Sequence, residues 1–164
     1  MGHKQQPIEL FMPPNMLKAK VGGGLGGVDV AAMKRAELAM EELKSEFSGW
    51  IADDVKKLIA ARTRYGQIPD DAGRAALLRA AHDIKGQAPT FHFPLIARVA
   101  ASLSRLIGEL SPKIAMPVAL VDAHVNAIQV IHKLAMQDTN DRTVQALCAE
   151  LDARVDHVLK TAKR

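Results

Sequence analysis

The chain has 164 residues, 48% hydrophobic but only 4% aromatic, with one cysteine and a net charge of +4. That length fits one domain with room for tails, and the scarcity of aromatic residues against abundant Ala, Leu and Val disfavours a β-sandwich or barrel and suits helices. A single Cys148 excludes an internal disulfide framework and a multi-cysteine metal site, leaving a buried structural thiol as its expected role. No apolar run approaches the roughly 20 residues a membrane span needs. Met1 to Leu10 carries Lys and Gln rather than a signal-peptide core, so a cytoplasmic protein is expected. Half of the excess charge comes from Lys4, Lys18 and Lys20 against Glu9, and the remainder mixes both signs. No basic stripe of the kind nucleic-acid binders present is visible, so no nucleic-acid partner is expected.

Residues 1–28 read as a flexible tail and linker. Ile8-Glu-Leu-Phe-Met-Pro-Pro-Asn-Met-Leu17 holds a Pro pair that blocks a helix, and Val21-Gly-Gly-Gly-Leu-Gly-Gly-Val28 is a linker by composition. The glycine run lacks the Gly-Lys-Ser/Thr ending of a phosphate loop, so no ATP site is expected.

From Asp29, a candidate N-cap, the chain turns helical and remains so to residue 164. Met33, Ala36, Met40, Leu43 and Phe47 recur at steps of three and four. Ser48-Gly49 is expected to interrupt or bend this stretch, after which Ile51, Val55, Leu58 and Ile59 carry a second pattern to about Tyr65-Gly66. Asp70 is placed to cap the next helix, with Asp71 in its first turn. Leu77, Ala81, Ile84, Ala88 and Phe91 mark that helix, and Pro89 should end or kink it. Pro94 opens a helix with Ile96, Val99, Leu103, Leu106 and Leu110, closed by Ser111-Pro112. After Met116-Pro117 come Val118, Val121, Val125 and Ile128. Asp138-Thr-Asn-Asp141 then breaks the pattern, and Val144, Leu147, Leu151, Val155 and Val158 mark a last helix. Short polar breaks usually join antiparallel neighbours, so the fold expected is all-α, an antiparallel four-helix bundle with one or two extra N-terminal helices. Met33, Met40 and Met136 are read as core, Glu41-Glu42 and Asp53-Asp54 as solvent-facing, and His124 and His132 as surface or half-buried.

His82 is the residue with chemistry to offer. At 100° per residue, Leu77, Ala81, Ile84 and Ala88 share a narrow sector, and His82 lies about 130° from it, facing solvent. Lys85 and Arg79 stand one turn to either side, and Gly86, at i+4, lies directly above the imidazole. A neutral imidazole is nucleophilic near neutral pH, a lysine beside it can pair with phosphoryl oxygens, and a glycine at i+4 clears the approach. Glycine inside a helix costs about 1 kcal/mol relative to alanine, so it invites a reason.

The run His82-Asp83-Ile84-Lys85-Gly86-Gln87-Ala88 resembles the signature of the histidine phosphotransfer (HPt) family: a His, an aliphatic residue two later, Lys-Gly at three and four, a small residue at six. Phe91 matches an apolar position nine later. The resemblance implies a four-helix bundle whose His82 takes a phosphoryl group from a receiver-domain aspartate and passes it to another. The receivers would belong to a response regulator or a hybrid histidine kinase. It further implies phosphate support from Lys85, steric clearance at Gly86, and docking over faces that include Leu78 and Arg79. It implies a monomer without independent turnover, and no cofactor, since magnesium belongs to the receiver's acidic pocket. Two positions depart from the pattern: His92 stands where the family often has a glycine, a residue suited to a left-handed turn, and Pro89 falls within what is usually the same helix. The alternative expectation is a non-catalytic helical interaction module, or a dimeric scaffold, that binds a signalling partner.

Overall fold

A computed structural model describes residues 29–135 and 139–163, and all the expectations for residues 1–28 and for Met136 and Asp138 lie outside them. Among the described residues there are five helices and no strands: α1 (Val30–Gln67), α2 (Asp71–Gln87), α3 (Pro94–Glu109), α4 (Val118–Lys133) and α5 (Arg142–Ala162). The chain divides into two units, residues 1–39 and 40–164. The first is described from Asp29, whose carboxylate accepts the Ala31 N–H at 3.1 Å and so caps α1. No helix is long and apolar enough to cross a membrane among the described residues.

The helix ends sit where local chemistry puts them. Asp70 caps α2 by accepting the Gly73 N–H at 2.6 Å, and the paired Arg64 guanidinium, together with that N–H, holds its carboxyl below the usual range. Pro94 occupies the first turn of α3, where its missing N–H costs nothing. Asp141 caps α5 through the N–H groups of Thr143 and Val144. The expected interruption at Ser48-Gly49 is absent: α1 runs through it as one helix of 38 residues. One glycine costs about 1 kcal/mol in a helix, too little to break a stretch held by packing on its far side. There Ile51, Val55 and Leu58 enter the core, and the Ser48 carbonyl meets the His132 ring nitrogen at 3.3 Å.

In the second unit the helices pack as a bundle around α3, which contacts α2, α4 and α5. Arg74 at the start of α2 donates to the Ile107 carbonyl (2.9 Å) and to that of Leu110 at the end of α3, so these helices run antiparallel. Ser48 meets His132 and Arg62 pairs with Asp122 at 2.5 Å, so α1 and α4 are antiparallel too. Arg98 with Asp152, and Arg105 with Asp156, lace α3 to α5, and because both numbers rise together these two helices run parallel. The core holds Leu77, Ala81, Ile84, Ile96, Leu103, Leu106 and Ile128, none of them exposed. Each such Leu or Ile side chain contributes about 1.5–3 kcal/mol of transfer free energy.

Three expectations about burial fail. Met33 and Met40, read as core, are 54% and 60% exposed. Asp54, read as solvent-facing, is buried, its carboxylate 3.0 Å from the Lys57 ammonium. His124 is fully buried rather than at the surface. Its Nδ1–H donates to the Leu120 carbonyl at 2.7 Å, which leaves Nε2 to accept from the Ser102 hydroxyl at 3.2 Å. Cys148 is buried as expected, and burial pushes its thiol pKa up, which makes it inert.

Candidate functional site

The α2 helix positions the site by sealing one face and leaving the other in water. Leu77, Ala81, Ile84 and Ala88 are wholly buried, which fixes the rotation of the helix. His82, Asp83, Lys85, Gly86 and Arg79 are exposed, and Leu78 is half-buried against the core. Five of these, Leu78, Arg79, His82, Lys85 and Gly86, therefore share one sector of one helix, about 60° or less from His82 on helical geometry. Among the described residues, the imidazole of His82 has no hydrogen-bond partner, and neither Lys85 nor Arg79 has a carboxylate partner. These cations are free to meet an incoming anion, unlike Arg62, Arg64, Arg98 and Arg105, which are tied to aspartates.

At Gly86 a Cβ would meet nothing within 4 Å, and its backbone is not left-handed. Neither packing nor conformation within the chain calls for glycine there.

The segment after α2 explains how Pro89 and His92 are accommodated. Regular hydrogen bonding ends with the Ala88 N–H, which reaches the Ile84 carbonyl at 2.9 Å, because Pro89 has no N–H to give. The chain nonetheless continues to turn, and the Phe93 N–H reaches back to the Ala88 carbonyl (2.8 Å) while the His92 N–H reaches that of Pro89 (3.1 Å). His92 between them has φ 62°. This pair of bonds around a left-handed residue is a Schellman motif, and both Phe93 and Ala88, the positions it usually makes apolar, are buried. His92 thus adopts the left-handed turn that a glycine would suit.

Sequence reasoning did not find the contribution of α1 to this neighbourhood. Asp54 holds the Lys57 ammonium above the usual lysine range, by hydrogen bond and by charge, and Asp83, next to His82, adds a smaller push. Further along, Phe47 and Trp50 pack on Phe91 with ring centroids 5.4 Å away in each case. The bundle face bearing His82 is therefore made by α1 as well as α2, a juxtaposition that exists only in three dimensions.

Concave surface lies elsewhere. An apolar groove between α4 and α5, lined by Leu120, Leu147, Leu151 and Val158, does not include the site. Small-molecule sites are usually concave, whereas an exposed helix face suits a protein partner. No group of three His, Cys, Asp or Glu side chains is arranged to hold a metal among the described residues.

Comparison with known proteins agrees with this geometry. The family model for the Hpt domain matches residues 42–160, the larger part of the chain, and the match spans the site helix. No curated protein and no solved structure matches the chain. The chain belongs to the Hpt domain family, whose domains carry out histidine phosphotransfer in phosphorelays and interact with receiver domains.

Proposed function

We propose that His82 is the phosphoacceptor and that this chain relays phosphoryl groups between aspartates of receiver domains in the cytoplasm. The unprotonated ring nitrogen attacks the phosphorus of an aspartyl phosphate. The new N–P bond forms as the P–O bond to the aspartate breaks, and the electron pair leaves with the carboxylate. Transfer onward is the same exchange with a second aspartate as nucleophile. Lys85 pairs with the phosphoryl oxygens as a point charge, and Arg79 and Leu78 border the docking face. The receivers are those of a response regulator or a hybrid histidine kinase, and magnesium is supplied by their acidic pockets.

The observation that carries this reading is Gly86. A helical glycine with nothing around it, one turn above an exposed histidine, answers no need of the fold and fits the clearance an approaching phosphoryl donor requires.

The test is incubation with a receiver domain carrying labelled aspartyl phosphate. Wild type is expected to take the label as acid-labile, base-stable phosphate, and His82→Gln to take none. Hydrogen bonds to charged groups are worth about 1.5–3 kcal/mol, so Lys85→Ala should slow transfer roughly tenfold or more with its helical circular dichroism intact. Label persisting on His82→Gln would assign the chemistry to another residue.

A further inference from the structure

Two carboxylates near the site call for a reason. Asp54 lies on the buried stripe of α1 with Ile51, Val55 and Leu58, where an apolar side chain would serve the core better. Its partner, the Lys57 ammonium at 3.0 Å, is 71% exposed and would be solvated without it. The pair therefore does more to fix Lys57 than to hold the bundle. Asp83 is the second carboxylate. It is exposed, adjoins His82 and is in no close ion pair among the described residues, so its charge opposes the approach of phosphoryl oxygens. Arg79, one turn before Asp83, does not pair with it.

The register of α1 against α2 brings Lys57 to this place. Arg64 bonds Asp70 at 3.1 Å where the two helices join, and Trp50 packs on Phe91 at 5.4 Å just beyond the end of α2, so the helices run antiparallel. Lys57 stands seven residues from Arg64 and seven from Trp50. The same count from Asp70 and from Phe91 brackets it between Leu77 and Ile84, within about one turn of the level of His82. Around α2, Lys85 and Leu78 flank His82 on the side where Leu78 comes up against Gly108 of α3. Asp83 lies on the other side, about 100° from His82, and its charge is felt by Lys57.

We infer that Lys57 is a positioning residue for phosphoryl transfer: anchored by buried Asp54, its ammonium offsets Asp83, so that a phosphoryl group at His82 is not repelled on the α1 flank. This role rests on His82 being the phosphoacceptor. Lys85 supplies positive charge on the α3 flank, and Lys57 cancels negative charge on the other. The neighbouring pair, Lys56 with Asp53 at 3.3 Å, is exposed at both partners and has no buried anchor of this kind.

Uptake of label from a receiver domain carrying aspartyl phosphate, measured on the full chain at low and high salt, tests this. Lys57→Gln should slow uptake about two- to fivefold at low salt, and the difference should vanish near roughly 1 M salt, where exposed charges are screened. Lys57→Arg should keep the wild-type rate, and adding Asp83→Asn to Lys57→Gln should restore it. Asp54→Asn should slow uptake less than Lys57→Gln, with its circular dichroism unchanged. A second readout does not involve transfer: the Lys57 titration, followed by NMR, should fall from its raised position in Asp54→Asn and, by less, in Asp83→Asn. Lys57→Gln taking label at the wild-type rate, a slowing that survives high salt, no rescue by Asp83→Asn, or a Lys57 titration indifferent to Asp83 would each overturn the role of Lys57 and leave His82 as the acceptor. A wild type that takes no label would overturn both.

Discussion

Gly86 separates what stability asks of the site helix from what transfer asks. Its backbone is ordinary for a helix and its surroundings are open, so an alanine methyl would fit without displacing anything. Replacing a helical glycine by alanine removes backbone freedom from the unfolded chain and stabilises by about 0.5–1 kcal/mol. Gly86→Ala is therefore expected to raise the unfolding free energy by that amount while slowing phosphoryl uptake, and Gly86→Leu to slow it further. Equal transfer rates for wild type and both variants would remove clearance as the reason for the glycine. A glycine that works against the stability of its own helix is what the proposed clearance role calls for. The signal was visible in sequence because His82, Lys85 and Gly86 sit within one turn, where helical geometry alone fixes which side chains are neighbours.

At the scale of elements, the end of α2 shows how a cap tolerates an unfavourable residue. His92 at φ 62° carries steric strain that a glycine would not, and its ring recovers part of this through contact with Phe47, the centroids 6.3 Å apart. His92→Gly should stabilise the fold by about 0.5–1 kcal/mol net of that lost contact, and His92→Val, β-branched at a left-handed position, should destabilise it. A thermal melt in which the glycine variant is the least stable of the three would show that the ring contact outweighs the strain. Element ends of this kind were legible beforehand: Asp29, Asp70, Pro94 and Asp141 act within three residues of themselves. Continuity and burial were less so. The break expected at Ser48-Gly49 was overridden by core packing of Ile51 and Leu58. Met33 and Met40 share the periodicity of buried residues yet remain exposed, because periodicity identifies an apolar face and not whether anything covers it. Asp54 and the nearness of Lys57 to Asp83 depend on which helices become neighbours, and spacing along one helix carries no information about that.

The whole bundle is coupled to pH through His124, a residue with no part in the phosphotransfer site. Its ring joins α4 to α3 through Ser102 and is fully buried, and desolvation pushes its pKa below the usual 6.5, outweighing the opposing pull of the Leu120 carbonyl. The fold therefore prefers the neutral ring, because a charged imidazolium in this position would be cut off from water. In the unfolded chain the same histidine titrates near 6.5. Between the depressed folded value and 6.5 the unfolded state holds more protons, so stability rises with pH across that window. It is flat above the window and lost progressively as pH falls through it, with a slope of at most about 1.4 kcal/mol per pH unit. Urea denaturation at neutral and mildly acidic pH should show the midpoint falling in acid for wild type. In His124→Gln the baseline stability should be lower but this part of the pH dependence gone. A variant that keeps the full wild-type acid sensitivity would place the responsible proton elsewhere, whereas a flattened profile would identify one buried imidazole, two helices along the chain from His82, as the group that ties stability of the bundle to mild acid.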